Sequence, residues 1–202
     1  MNDVTVVKLG GSFAFTRELG AWLDALSGCA GQVVLVPGGG PFADAVRAAQ
    51  PRMGFDDGTA HHMALLAMEQ YGIALVSLRA GLRLADSVAA IRDALRAGAI
   101  PVWSPRQMVL GADDIPASWK VTSDSLAAWL AAKLGAPRVL LVKRVAAGHL
   151  DPEGLAAAGI VDPAFPRFLR AGGVEAIIAG PADHAATARV ICTGLPSSVL
   201  VG

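Results

Sequence analysis

Val4-Thr5-Val6-Val7-Lys8-Leu9-Gly10-Gly11-Ser12 is a β-branched run that ends in a cation, two glycines and a hydroxyl. Such a run reads as a buried strand feeding a tight turn, and the apolar spacing from Thr16 to Leu26 predicts a helix just beyond it. Backbone N–H groups at a helix start are unpaired and carry partial positive charge, so an anion would sit there. Glycine lets an oxyanion reach the main chain, and Lys8 adds a mobile full charge. A plain tight turn between strand and helix explains the same residues. A second copy of the device weighs against that reading. Gln32-Val33-Val34-Leu35-Val36-Pro37 is again strand-like and runs into Gly38-Gly39-Gly40-Pro41, ahead of a helix over Phe42 to Gln50. In a parallel sheet both turns fall on the carboxyl edge, where α/β proteins bind ligands.

Working outward, strand-like runs recur at Ile73 to Ser77, Ile100 to Trp103, Val139 to Val142, Glu175 to Ile178 and Ser198 to Val201. Helical patterns separate most of them, the signature of crossover units. The expected fold class is α/β, a three-layer αβα sandwich with a largely parallel central sheet. The polar, proline-bearing stretch Leu110 to Ser118 divides an N-terminal lobe, 1–115, from a shorter C-terminal lobe, 116–202, on one continuous sheet.

Composition narrows the function classes. Seventeen basic and seventeen acidic residues balance, which leaves no electrostatic footprint for nucleic acid or an anionic membrane. The hydrophobic fraction of 53% is mostly alanine, valine and leucine, and no apolar run is long enough to span a bilayer. Without a basic, signal-like start the chain reads as cytoplasmic, and its apolar content suits a homo-oligomer. Cys29 and Cys192 lie far apart among small apolar residues and read as buried free thiols.

Further candidates lie at the other turns. Trp119-Lys120-Val121-Thr122-Ser123-Asp124-Ser125 leads into a helix over Leu126 to Leu134. Thr122 or Ser123 is an expected N-cap, and Asp124 either serves the helix dipole or faces the glycine turns, where it would orient Lys8. Lys143 leaves the end of the Leu140-Leu141-Val142 strand, a place for phosphate contact, and Arg144 beside it is equally a surface charge. Asp44, Asp56 and Asp57 lie near the second glycine turn and are either acceptor ligands or solvated charges. In the helix over Thr59 to Tyr71, His61 and His62 cannot share a face, and a packed or solvent-facing histidine outweighs a metal ligand. No protein metal ligand is assigned.

Lys8-x-Gly-Gly-Ser12, Pro37-Gly-Gly-Gly-Pro41, Thr122-Ser-Asp-Ser125 and Leu141-Val-Lys143 resemble the ordered motifs of the amino acid kinase superfamily. Within it, Pro37 to Asp44, Ala60 to Tyr71 and Ser118 to Ser125 are most similar to the small kinases of methanofuran biosynthesis. The resemblance implies ATP and Mg2+ as cofactors and a small phosphate monoester as acceptor. It implies Lys8, Asp124 and Lys143 as the catalytic group, and Gly10, Gly11, Ser12, Gly38, Gly39 and Gly40 as phosphate ligands. Asp44, Asp56, Asp57, His61, Thr122 and Ser123 would face the acceptor, and Lys143, Arg144, Gly148, Arg167 and Gly180 the nucleotide. The superfamily's Asp-rich nucleotide loop is replaced here by Lys143-Arg144-Val145-Ala146-Ala147-Gly148.

Overall fold

A β-branched segment flanked by glycine turns suits a strand covered on both faces, and β1 (Thr5–Leu9) is buried at every position. The computed structural model describes residues 4–144 and 150–193. After β1 come α1 (Arg17–Ser27), β2 (Val33–Pro37), α2 (Gly40–Met53), α3 (Asp57–Leu78), β3 (Leu82–Ala85) and α4 (Val88–Arg96). Then follow β4 (Ile100–Trp103), α5 (Arg106–Leu110), α6 (Ser123–Leu134), β5 (Arg138–Val142), α7 (Pro152–Ala157), α8 (Phe165–Gly172), β6 (Glu175–Ala179) and α9 (His184–Thr193).

The strands form one sheet in the order β3-β4-β2-β1-β5-β6, and every neighbouring pair is parallel. The chain moves from β1 toward one edge, then crosses back to lay β5 on the other side of β1. Ligand crevices in such sheets open at the carboxyl ends of the strands where that direction reverses. Register sets the level: Leu9 lies opposite Pro37 on β2 and Val142 on β5. The two glycine turns and Lys143 therefore leave the sheet side by side.

Alternation along the strands sorts the side chains into two cores. Val6, Val34, Val36, Val139 and Leu141 pack beneath α6 and α8, while Val7, Leu9, Leu35, Leu140 and Val142 pack beneath α1 and α9. Lys8 follows Val4 and Val6 on the α6 side, and Lys143 follows Val139 and Leu141. Both amines are thus turned toward α6.

Three expectations need correction or fall elsewhere. Ile73 to Ser77 is the last part of α3, not a strand. A short apolar run does not distinguish a buried strand from a buried helix, and nothing between Thr59 and Leu78 breaks the helix. The strand in that part of the chain is β3, four residues at the sheet edge with two exposed positions, which gave little apolar signal. The expected strand Ser198 to Val201 lies outside the described residues.

Cys29 and Cys192 are joined in a disulfide rather than free. They are 163 residues apart in sequence, yet α9 packs beside α1 on one face of the sheet and brings their Cα atoms within 5.1 Å. Trp22 of α1 adds a hydrogen bond from Nε1 to the Pro181 carbonyl at 3.2 Å. Among the described residues, no helix is long and apolar enough to cross a membrane.

Candidate active site

The two glycine turns meet. A Cβ on Gly11 would lie 2.2 Å from the Gly40 nitrogen, and one on Gly38 would lie 2.5 Å from the Gly11 nitrogen. Only residues without a side chain let the two backbones approach so closely. Gly40 also takes a left-handed φ of 56° as it begins α2, with the Tyr71 ring 3.5 Å from where its Cβ would be. Burial pushes the Tyr71 hydroxyl up to about 12, so it stays protonated at neutral pH.

Beside these turns, Asp124 holds two amines. Lys8 Nζ lies 2.8 Å from Oδ1, and Lys143 Nζ donates to Oδ2 at 2.5 Å. Lys8 and Asp124 are both buried. The Lys8 contact is an ion pair without hydrogen-bond alignment, which leaves Oδ1 without an aligned donor. Lys8 Nζ would also lie 3.6 Å from a Cβ on Gly10, which puts the amine against the first glycine turn. Burial acts most strongly on Asp124 and would raise its pKa, but the combined charges of Lys8 and Lys143 outweigh it and hold the carboxyl below its ordinary value. Lys143 is lowered, first by burial and then by repulsion from Lys8, against the attraction of Asp124 and Asp162.

Asp124 stands in the first turn of α6, but it does not cap the helix. Thr122 occupies the N-cap position without a side-chain cap bond. Its hydroxyl and amide both donate to Asp162 Oδ2 at 2.9 Å. Ser125 donates through its amide to the same oxygen at 3.0 Å and through its hydroxyl to Oδ1, and the Ala164 amide donates to Oδ1 at 3.2 Å. Asp162, buried between α7 and α8, is a residue of the candidate site that the sequence reading missed. Its faint signal is a carboxylate among Ile160, Val161 and Pro163, where a purely solvated charge is out of place.

Next to the glycine turns opens a cavity of about 260 Å³. Gly11, Ser12, Gly39 and Gly40 form one side, Asp44, Arg47 and His61 reach in from α2 and α3, and Trp119, Thr122 and Ser123 close it from the α6 side. Trp119 is latched to α2: its Nε1 donates to Gln50 Oε1 at 2.6 Å, and the Arg47 guanidinium lies 4.4 Å over its ring. Asp44 pairs with Arg47 at 3.2 Å. Burial, helped by His62, lowers the His61 pKa and favours the neutral ring.

The other expected residues are placed as follows. Asp56 caps α3 by accepting from the Thr59 amide at 2.7 Å, and Asp57 accepts from Gln50 at 2.9 Å; neither lines the cavity. Arg167 lies in a separate hollow with Asp114, Trp129 and Lys133, away from the lysine pair, and donates to the Asp114 carbonyl at 3.2 Å. Gly180 follows β6 at the edge where the Lys143 amide meets the Ala179 carbonyl, and its own amide donates to Asp183 at 2.6 Å. Arg144 is exposed and close enough to Glu18 of α1 to lower the glutamate pKa slightly, after the backbone and Thr16 hydrogen bonds to that carboxylate. Gly148 lies outside the described residues.

The fold matches solved structures closely. Uridylate kinase from Archaeoglobus fulgidus superposes with a TM-score of 0.67 at 15% identity, covering 92% of this chain and 95% of that one. UMP kinase from Bacillus anthracis gives a TM-score of 0.70 at 17% identity, covering 95% and 92%. In sequence, the chain is 26% identical over 144 residues to [5-(aminomethyl)furan-3-yl]methyl phosphate kinase from Methanocaldococcus jannaschii, an alignment spanning 69% of this chain and 65% of that relative. Residues 3–147, well over half of the chain, match the profile of the amino acid kinase family, and the protein belongs to that family.

Proposed function

We propose that the chain is an ATP-dependent kinase that moves a phosphoryl group onto a small phosphate monoester. The observation that carries this reading is the shared carboxylate: Asp124 holds Lys8 and Lys143 beside two interlocked glycine turns. A phosphate acceptor is already anionic at neutral pH and needs no strong general base. The protein's task is to bring two repelling phosphates into line and neutralise the charge that spreads over the transferred group. Lys8 would bridge the transferred phosphoryl, the amides of Gly10, Gly11, Gly39 and Gly40 would donate to its oxygens, and Lys143 would meet the nucleotide phosphates. An acceptor phosphate oxygen attacks the terminal phosphorus of ATP, the bond to the bridging oxygen breaks, and ADP leaves.

The residues fit a magnesium nucleotide. A Cβ at Gly11, Gly38 or Gly39 would come within 2.5 Å of the facing turn or of Ala43, so these turns stay bare for phosphate oxygens. Magnesium typically keeps its waters and takes one or two carboxylates with the substrate phosphates, so Asp124 would be its protein partner. When bound, the ion would supply further neutralisation of phosphate charge.

We assign the cavity of about 260 Å³ to the acceptor. An aminomethyl-bearing ring such as [5-(aminomethyl)furan-3-yl]methyl phosphate suits it: Asp44 would take the amine, the apolar walls of Leu65, Met68 and Leu126 the ring, and His61 a polar edge. In this arrangement residues 1–115 give most of the acceptor side and residues 116–202 the nucleotide side. The similarity to the Methanocaldococcus jannaschii enzyme supports this choice. The test is ADP release from Mg-ATP against a panel of phosphate monoesters, amino acids and carbamate, with Lys8→Ala alongside. The furan monophosphate is expected to be turned over and Lys8→Ala to be inactive though folded. Turnover of carboxylates alone would move the assignment to another acceptor, and no Mg-ATP binding by calorimetry would remove the kinase reading.

A further inference from the structure

Asp162 is a buried carboxylate that the proposed chemistry does not use directly, yet it accepts four hydrogen bonds from the start of α6, two from Thr122 and two from Ser125. Oδ2 takes the Thr122 amide, the Thr122 hydroxyl and the Ser125 amide, while Oδ1 takes the Ser125 hydroxyl and the Ala164 amide. Helix starts leave amides without intrahelical partners, and a side chain at the N-cap usually satisfies one of them. Here the N-cap side chain makes no such bond. A carboxylate from a distant loop replaces it and grips the residues on both sides of Asp124.

We propose that Asp162 is a positioning residue of the phosphoryl-transfer site: it clamps the first turn of α6 so that Asp124 meets both lysines. The inference rests on the kinase reading above. Two features support a role beyond ordinary capping. The clamp holds the backbone and hydroxyls of residues 122 and 125, the positions flanking the 123–124 pair, where a small rotation would pull the Asp124 oxygens off two amines. Thr122 and Ser123 also line the acceptor cavity, so the same clamp sets one of its walls.

Asp162→Asn keeps the shape but removes the charge and turns one amide group toward donors. The variant is expected to lower kcat at least tenfold, with a smaller rise in the acceptor KM. A crystal structure of Asp162→Asn is expected to show the first turn of α6 displaced and the Asp124 carboxylate drawn off one or both lysine amines. Ser125→Ala, which removes one donor and leaves the carboxylate, is expected to show a smaller loss in kcat. Should Asp162→Asn not fold, Ser125→Ala alone carries the test. A parent-like kcat and an unmoved Asp124 carboxylate in a folded variant would overturn the proposal. So would a loss of activity that is wholly accounted for by the unfolded fraction. The variant structure needs no turnover, so an inactive parent protein would count against the kinase reading while the position of Asp124 still decides the role of Asp162.

Discussion

Lys8 Nζ lies 2.8 Å from Asp124 Oδ1, and the same buried carboxylate carries Lys143 on its other oxygen. One anion therefore holds two cations in place before any phosphate arrives. Bringing a polyphosphate to preplaced ammonium groups avoids reorganisation at the moment of reaction, which is where electrostatic catalysis gains most.

Removing that anion should damage both folding and catalysis. Asp124→Ala leaves two amines in a buried place without their partner, a change that typically costs about 3–5 kcal/mol of stability. Loss of alignment should also lower kcat by roughly a hundredfold or more, about 3 kcal/mol of barrier. Chemical denaturation and ADP-release kinetics measure the two effects separately. Parent-like turnover in Asp124→Ala would end its role as organiser.

Substitution at Gly11 should strike the site with little effect on the rest of the fold. A Cβ there would lie 2.2 Å from the Gly40 backbone, so Gly11→Ala must push the two turns apart and open the cradle. The expected outcome is a loss of turnover of tenfold or more with weakened Mg-ATP binding. Gly20→Ala is the control: on α1 its Cβ would meet only Arg79 at 3.4 Å, and helix propensity predicts a gain of about 0.5–1 kcal/mol. If both alanine variants bind Mg-ATP like the parent, the glycine turns do not cradle phosphate.

Much of this geometry was legible in the sequence because it is local. Lys8 and the glycine turns follow from a strand, a short turn and a helix start. Counting alternate residues back to Val6 and Leu141 gives each lysine's side of its strand, while the structure shows that α6 covers that side. Asp162 was not legible, since a helix capped from a distant loop leaves no pattern near the helix itself. Asp56 shows the opposite failure: grouped with the acceptor ligands because it sits near a glycine turn, it is occupied with the Thr59 amide, a capping pattern visible in Asp56-Asp57-Gly58-Thr59. The disulfide and β3 were hidden for a similar reason, because long-range packing and a half-exposed edge strand carry weak local signals.

The pH dependence should be set by the lysine pair. Burial and Lys8 lower the Lys143 pKa below the ordinary 10.5, so turnover that needs its charged form should fall on the alkaline side with an apparent pKa below that value. Between the lowered value and 10.5 the unfolded chain binds more protons at this group, so its contribution to stability rises with pH there. Asp124 acts with the same sign in acid. Its pKa is depressed below 3.8, so its stabilising contribution is complete above 3.8 and is lost as pH falls through the folded value. Profiles of kcat and of unfolding free energy against pH check both signs. An alkaline limb at or above 10.5 would contradict the assigned role of Lys143.

The link between Cys29 and Cys192 should hold α9 against α1. Closing a loop across 163 residues restricts the unfolded chain strongly, and loss of a native disulfide typically costs about 2–5 kcal/mol. Cys29→Ser, or treatment with a dithiol reductant, should therefore lower the thermal midpoint clearly. Turnover below the melt should change little, because the lysine pair and the glycine turns belong to β1, β2, β5 and α6. Mass spectrometry after alkylation, with and without reduction, measures whether the bond is present. Equal melting of the reduced and unreduced protein would show that packing of Trp22, Leu26, Ala188 and Ile191 holds the two helices together without it.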